Sequence, residues 1–180
     1  MNSLPMTAAW SPDHRYLALV NAGYGTAESD YEQSVAVLDT TTGKLTDYPI
    51  PLTDMTLPQT LYSGIAFSGD GSRIYLSFDS ISEPNGKAPE EKAPQGGRPR
   101  VAKPDGTGNA VGVYRLTDEG LVAERMIPVP LRDLEAGQTQ HHGAMDLPVN
   151  EAIPAPAGLA VVKGATEKLL VADEYSDDVL

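Results

Sequence analysis

The sequence predicts an all-β fold of tandem four-stranded antiparallel sheets. A stretch that reads as strand, tight polar turn and strand covers residues 9–19, and it recurs without a gap at residues 66–76. A looser third copy covers residues 158–173. Glycine and proline are frequent, at 17 and 15 of the 180 residues, and the apolar runs between them are short. Short apolar runs separated by turn residues favour strands over helices.

The first repeat unit spans residues 6–52 and reads as four strands joined in a meander. The strands are expected at residues 7–10, 16–20, 34–39 and 44–48. Ser-Pro-Asp-His at residues 11–14 suits a turn, because proline presets φ and aspartate caps the following backbone. Residues 16–20 are apolar at nearly every position, so we expect this strand to be buried on both faces. The fourth strand alternates apolar and polar residues and should keep one face in water.

The second unit spans residues 63–131 and repeats this order. Its strands are expected at residues 63–67, 73–78, 110–116 and 121–129, with tight turns at 68–71 and 117–120. The third unit spans residues 157–180. It holds two strands, at residues 157–162 and 168–173, before a third strand that should begin at Val179.

Tandem four-stranded units are typical of a β-propeller, because one sheet cannot bury both of its faces alone and neighbouring sheets must stack around an axis. The chain offers two complete units and half of a third. We therefore predict a single domain, residues 1–180, that forms a partial propeller of about two and a half blades. Open sheet edges invite pairing, so we expect the isolated chain to associate or aggregate.

The meander also predicts which edge of the sheets carries function. In each unit, the turns between the first and second strands and between the third and fourth strands are short. They fall on one edge of the sheets, which we call the short-connection edge. The long connections fall on the opposite edge, the long-connection rim, and cover residues 21–33, 50–62, 82–108 and 132–155. Because functional loops cluster on one rim of a rigid scaffold, we expect partner or ligand binding at the long-connection rim.

Residues 82–108 form a proline-rich insertion, with proline at every fifth position from Pro84 to Pro104. It carries a basic island in an acidic chain, made of Lys87, Lys92, Arg98, Arg100 and Lys103. An unstructured or polyproline-like loop is the simpler interpretation. A docking strap for an acidic or proline-binding partner is the alternative.

Composition excludes several classes of function. The chain has 13 Lys and Arg against 25 Asp and Glu, a net charge of −12 that repels a nucleic-acid backbone. The absence of cysteine excludes disulfides, thiolate metal sites and cysteine nucleophiles. No run approaches the roughly 20 apolar residues that span a bilayer, so we expect no membrane span.

Three further candidate sites each have a simpler structural interpretation. His141 and His142 form an imidazole pair, but adjacent side chains of an extended backbone point in opposite directions, which disfavours a metal site. The acidic run at residues 173–178 offers oxygen ligands for calcium, yet it lacks the ligand order of an EF-hand. Gly-Tyr-Gly-Thr at residues 23–26 precedes no helix, so it is not a phosphate-binding loop.

The first turn brings Ser11, Asp13 and His14 close together in sequence and suggests a nucleophile with its base. The second copy, at residues 68–71, lacks the histidine, and both turns fall on the short-connection edge. We therefore interpret Asp13 and Asp70 as turn-capping residues. The sequence predicts no catalytic, cofactor-binding or metal-binding residue in this chain, and no cofactor.

The repeats resemble those of a known family. Ser-Pro-Asp turns, a Leu-rich strand and Val-Ala-Val-Leu-Asp-Thr-Thr-Thr-Gly-Lys-Leu at residues 35–45 are similar to YVTN-type (YncE-like) propeller repeats. Residues 21–26, 106–109 and 169–173 resemble a subgroup of bacterial two-domain proteins, in which a propeller precedes an alkaline-phosphatase-like phosphoesterase domain. The resemblance implies that phosphoesterase chemistry resides in a separate metal-binding domain, and it transfers no catalytic residue to this chain.

Two functions follow as hypotheses. The first is a non-catalytic propeller segment that binds a ligand, a protein partner or an adjoining phosphoesterase domain through its long-connection rim. The alternative is a lactonase-like propeller hydrolase with a carboxylate-bound divalent cation. The resemblance implies a periplasmic or extracellular parent protein, whereas residues 1–9 show neither the basic start nor the apolar core of a signal peptide.

Overall fold

The computed structural model describes residues 4–22, 33–50, 60–79, 109–130, 132–133, 136–137, 151–152, 155–174 and 179–180. The fold is all-β, and within these ranges the chain forms strands and turns without a helix. The described part of the chain therefore holds no helix with the length and apolar character that a membrane crossing requires.

Two four-stranded antiparallel sheets account for most of the structure. Sheet 1 contains β1 (Pro5–Trp10), β2 (Tyr16–Asn21), β3 (Ser34–Asp39) and β4 (Lys44–Pro49), paired in that order. Sheet 2 contains β5 (Thr60–Phe67), β6 (Arg73–Asp79), β7 (Ala110–Thr117) and β8 (Gly120–Pro128), in the same order. Each sheet is a simple meander, so consecutive strands in the chain are neighbours in the sheet.

Two smaller pairs complete the described strands. A ribbon of two residues per strand joins β9 (Arg132–Asp133) to β10 (Glu151–Ala152). Sheet 3 pairs β11 (Pro156–Val162) with β12 (Lys168–Asp173). The chain end pairs back onto β12, since the backbone N–H groups of Val171 and Leu180 each donate to the other residue's carbonyl, at 2.9 and 2.8 Å.

The all-β prediction and the meander order are confirmed, and most predicted strand limits lie within one or two residues of the observed ones. The clearest difference at a strand end is β5, which begins three residues earlier than predicted, at Thr60. The ribbon β9–β10 lies within residues 132–155, for which the sequence predicts a loop. Two residues per strand are too few to show the alternating pattern of a strand. The prediction that β2 is buried on both faces is wrong. Ala18 and Val20 are fully buried, whereas Leu17 and Leu19 on the other face are only half-buried.

Cross-strand pairing gives each sheet two faces that correspond from one repeat to the next. The front rows are Trp10, Leu17 and Leu38 in sheet 1, Phe67, Ile74 and Tyr114 in sheet 2, and Val161 and Leu169 in sheet 3. The back rows are Ala9, Ala18 and Val37 in sheet 1, Ala66, Tyr75 and Val113 in sheet 2, and Ala160 and Leu170 in sheet 3. We call these faces front and back throughout.

The main core lies between the back face of sheet 1 and the front face of sheet 2. Sheet 1 contributes small side chains such as Ala18 and Val37, and sheet 2 contributes large ones such as Phe67 and Tyr114. The Tyr114 ring lies 6.2 Å from that of Phe78, and burial raises the pKa of its hydroxyl above the usual range. Large side chains of sheet 2 therefore pack on small ones of sheet 1.

A second, smaller core repeats this arrangement between sheet 2 and sheet 3. Val111 and Tyr75 on the back face of sheet 2 belong to the same cluster as Leu159, Leu169 and Val171 on the front face of sheet 3. Strand β11 packs on β5 and β6, as β5 packs on β1 and β2. The three sheets are therefore stacked front on back in chain order.

Gly64 is required where sheet 2 and sheet 3 approach most closely. It lies in a bulge of β5, and its N–H donates to the Ser77 hydroxyl at 2.7 Å. A Cβ atom at this position would lie 2.8 Å from the Ser77 hydroxyl oxygen in β6. In β11 it would lie 2.8 Å from the Leu159 side chain and 3.0 Å from the Ala157 carbonyl oxygen. A larger residue would push the two sheets apart.

Replacement of Gly64 by alanine should therefore destabilise the fold, by about 1–3 kcal/mol, because the added methyl group overpacks this contact. Urea unfolding followed by circular dichroism measures the loss. Gly164→Ala is the matched control, since a Cβ there meets only an ordinary contact at 3.4 Å. Equal midpoints for Gly64→Ala and Gly164→Ala would contradict the close packing of sheets 2 and 3.

Candidate functional site

The first turn of the short-connection edge is held by a serine and an aspartate. The Ser11 hydroxyl donates to the Asp13 carboxylate at 2.6 Å and accepts a hydrogen bond from the Tyr16 N–H at 2.8 Å. The same carboxylate oxygen accepts from the Arg15 N–H at 3.0 Å. Ser11 is buried and Asp13 is exposed, so the network ties the surface of the turn to the strand below it.

The second turn reproduces this network atom for atom. The Ser68 hydroxyl donates to Asp70 at 2.6 Å and accepts from the Arg73 N–H at 2.9 Å. Asp70 accepts from the Ser72 N–H at 3.0 Å. The repeat of identical bonds in two turns supports a structural role for both aspartates.

His14 takes the place that glycine has in the second turn. Its φ is 58°, in the left-handed region, and the corresponding Gly71 has a φ of 74°. The imidazole ring meets the edge of the Trp10 ring, with centroids 5.9 Å apart. Ser11, Asp13 and His14 therefore form a strained turn rather than a nucleophile with its base.

The turn networks favour the ionised form of both aspartates. The hydrogen bond from the Ser68 hydroxyl, followed by that from the Ser72 N–H, holds the pKa of Asp70 well below its usual range. The hydrogen bonds from Ser11 and from the Arg15 N–H lower the pKa of Asp13 in the same way. These carboxylates act as hydrogen-bond acceptors for the turn and are poor candidates for proton transfer near neutral pH.

Buried polar side chains collect at the opposite edge, the long-connection rim, where strands end or begin. They are Asn21, Ser34, Asp79, Asn109 and Asp173. Asn21, Asp79 and Asp173 occupy equivalent places, because each is the last residue of the second strand of its unit. Strand ends at this rim therefore carry oxygen and amide groups in an otherwise apolar interior.

Hydrogen bonds at this rim connect strands that are distant in sequence. The Asn21 amide donates to the Ser34 hydroxyl at 3.1 Å across β2 and β3. Gln33 joins sheet 1 to sheet 2, since its amide N–H donates to the Ala22 carbonyl at 2.9 Å and its side-chain oxygen accepts from the Leu61 N–H at 2.8 Å.

Sheets 2 and 3 are joined at the same rim. The Tyr62 hydroxyl donates to the Glu174 carboxylate, and the Ser63 hydroxyl donates to the Ala157 carbonyl at 2.9 Å. On the short-connection edge, Glu167 also joins sheet 3 to sheet 2. Its carboxylate accepts hydrogen bonds from the Gly69 N–H at 2.6 Å and from the Tyr75 hydroxyl at 3.0 Å. Side-chain hydrogen bonds therefore join sheets 2 and 3 at both edges of the stack.

Most of the sequence-predicted site residues lie outside the described residues. They are His141, His142, residues 23–26, the proline-rich insertion at residues 82–108, and residues 175–178. Of the acidic run, Asp173 is buried at the end of β12 and Glu174 is exposed beside Tyr62. Among the described residues, no group of three histidine, aspartate or glutamate side chains is arranged to hold a metal ion.

Sequence reasoning did not identify Gln33, Tyr62 or Glu167 as important residues. Each of them binds a residue of another unit, and no spacing within a single repeat indicates such a contact. The only available signal is position, because Gln33 and Tyr62 stand next to predicted strand ends at the long-connection rim.

Comparison with known proteins gives no assignment: no family model, curated protein or solved structure matches the chain.

The turn networks predict a pH dependence of stability. A lowered aspartate pKa in the folded state stabilises the fold above about pH 4, the unfolded value, and this contribution is lost as the pH falls through the folded value. The double variant Asp13→Asn, Asp70→Asn should therefore be less stable than the wild type at pH 7, and the two should converge towards pH 2. Urea midpoints at both pH values test this.

Asp118→Asn, in the exposed turn between β7 and β8, is the control variant. It should follow the wild type at both pH values. A double variant that stays equally far below the wild type at pH 2 would show that the ionised turn carboxylates do not stabilise the fold.

Proposed function

We propose that this chain is a partial β-propeller whose long-connection rim is a non-catalytic scaffold for a protein partner, a ligand or an adjoining catalytic domain. The front-on-back stacking of three successive repeat units carries the proposal. The first strands of the units pack against one another, since β1 packs on β5 and β5 on β11, whereas the outer strands β4 and β8 barely touch. Close packing of the first strands, with the outer strands farther apart, supports a radial arrangement of blades.

The two edges support a division of roles. The short-connection edge uses its serine and aspartate side chains to close its own turns. The long-connection rim combines buried polar strand ends with the longer connections of the chain. A rigid stack that carries long connections on one rim suits recognition of a partner surface. The adjoining domain that the family resemblance suggests is a phosphoesterase domain, and the rim is where we propose that it docks.

Site-specific photo-crosslinking in the cells that naturally produce the protein tests the rim assignment. A photo-reactive amino acid is placed at Glu174 or Pro130 on the long-connection rim, and at Thr41 or Glu119 in short turns as matched exposed controls. Irradiation should give a discrete crosslinked species from the rim positions only. Crosslinks that form from the short turns instead would overturn the assignment.

The alternative function is a propeller hydrolase with a carboxylate-bound divalent cation, and the buried Asp79 and Asp173 at equivalent strand ends are the observation that favours it. The purified chain is assayed with an aryl phosphate monoester, an aryl phosphodiester, an aryl acetate and an aromatic lactone, each with Mg²⁺, Ca²⁺, Mn²⁺ or Zn²⁺. The scaffold proposal predicts no turnover above the blank. Turnover that is abolished by a chelator and by Asp79→Asn would establish the hydrolase instead.

A further inference from the structure

The front face of sheet 1 carries an apolar row, and none of the other described sheets covers it. Its central row runs across all four strands through the pairs Trp10 with Leu17, Leu17 with Leu38, and Leu38 with Leu45. Trp10 is 51% exposed and Leu45 is 52% exposed, although the edge of the Trp10 ring touches His14. A continuous apolar row of this kind marks an interaction surface rather than a set of scattered exposed residues.

The equivalent row of sheet 2 shows what such a face does in this fold. Phe67, Ile74 and Tyr114 occupy the corresponding positions and are 6%, 0% and 1% exposed, because they pack on the back face of sheet 1. In sheet 3 the corresponding Leu169 packs on the back face of sheet 2. The front row is therefore the docking row of each unit, and only that of sheet 1 is uncovered among the described sheets.

The complementary surface is also free in the same chain. The back face of sheet 3 carries Gly158, Ala160, Val162, Leu170 and Ala172, with Lys168 beside Val162 at its end, and all six are exposed. Ala160 occupies the position of Ala9 in sheet 1, which lies in the back row that receives the front face of sheet 2. Most of these side chains are small, and the two larger apolar ones, Val162 and Leu170, are 47% and 39% exposed. Such a face leaves room for a row of large side chains from another sheet.

We propose that these two faces bind each other between copies of this chain, with the front face of sheet 1 in one copy seated on the back face of sheet 3 in a second copy. This contact continues the front-on-back stacking that already joins sheet 1 to sheet 2 and sheet 2 to sheet 3. It places a row of large side chains on mostly small ones, as the contact between sheets 1 and 2 does. Pairing of two front faces would instead place Trp10 and its neighbours against an equally bulky row.

The proposed contact is head-to-tail, because each copy contributes a different face. Such contacts are heterologous, so one copy can bind a neighbour on either side and assembly continues until a ring closes or a filament forms. Trp10 is the expected centre of the binding energy, since buried tryptophan side chains dominate many interfaces. The contact uses sheet faces and not the long-connection rim, so it is independent of the proposed scaffold function.

Sedimentation velocity of the full 180-residue chain across a wide concentration range tests the proposal. Wild type should assemble with increasing concentration. Trp10→Glu places a charge on the front face, and Leu170→Glu places a charge on the back face. Each should lower the association constant between copies by about 30-fold or more. Thr41→Glu, in an exposed turn outside both faces, should assemble like the wild type.

An equimolar mixture of the Trp10→Glu and Leu170→Glu variants gives the decisive result. One variant retains an intact back face and the other an intact front face, so the mixture should form a heterodimer and nothing larger. Leu45→Glu and Val162→Glu provide a second pair at exposed positions, and urea midpoints equal to the wild type show that the variants are folded.

Three outcomes would overturn the proposal. A wild type that stays monomeric at all concentrations would show that a second copy does not cover these faces. A Leu170→Glu variant that still forms dimers would indicate front-to-front pairing. A mixture that stays monomeric would show that the two faces are not complementary.

Discussion

The structure depends on one repeated contact, in which apolar side chains on the front face of one sheet pack on the back face of the sheet before it. Phe67 and Tyr114 on Ala18 and Val37 form the larger example, and Leu169 on the back of sheet 2 forms the smaller one. Burial of apolar area at these contacts is the main stabilising contribution, because a single four-stranded meander has no other way to cover its faces.

The polar groups at the two edges of the stack form hydrogen bonds within turns and between neighbouring units. At the short-connection edge, the serine–aspartate networks satisfy the turn amides, and Glu167 ties the turn of sheet 2 to that of sheet 3. At the long-connection rim, Gln33 and Tyr62 tie each unit to its neighbour. Because these bonds join residues of different sheets, they fix how each sheet is placed on its neighbour.

The sequence predicted the features that depend on local chemistry. Both Ser-x-Asp turns follow from residues within one turn. Strand positions follow from short apolar runs, although the bulge before Gly64 moved the start of β5.

Contacts between units could not be predicted, because they join side chains far apart in the chain. Gln33 and Leu61 belong to different sheets, as do Tyr62 and Glu174. The apolar run of β2 predicts burial of both faces, but such a run does not show how many sheets pack on the strand. Sheet 2 packs on the face with Ala18 and Val20, and Leu17 and Leu19 on the other face are only half-buried.

The most direct measurement of front-on-back stacking is a set of nuclear Overhauser contacts from the Phe67 ring in the methyl-labelled chain. Front-on-back stacking predicts cross-peaks from the ring to methyl groups of the back face of sheet 1, such as those of Ala9 and Ala18. Cross-peaks to front-face methyl groups such as those of Leu17 and Leu38, with none to the back face, would contradict it.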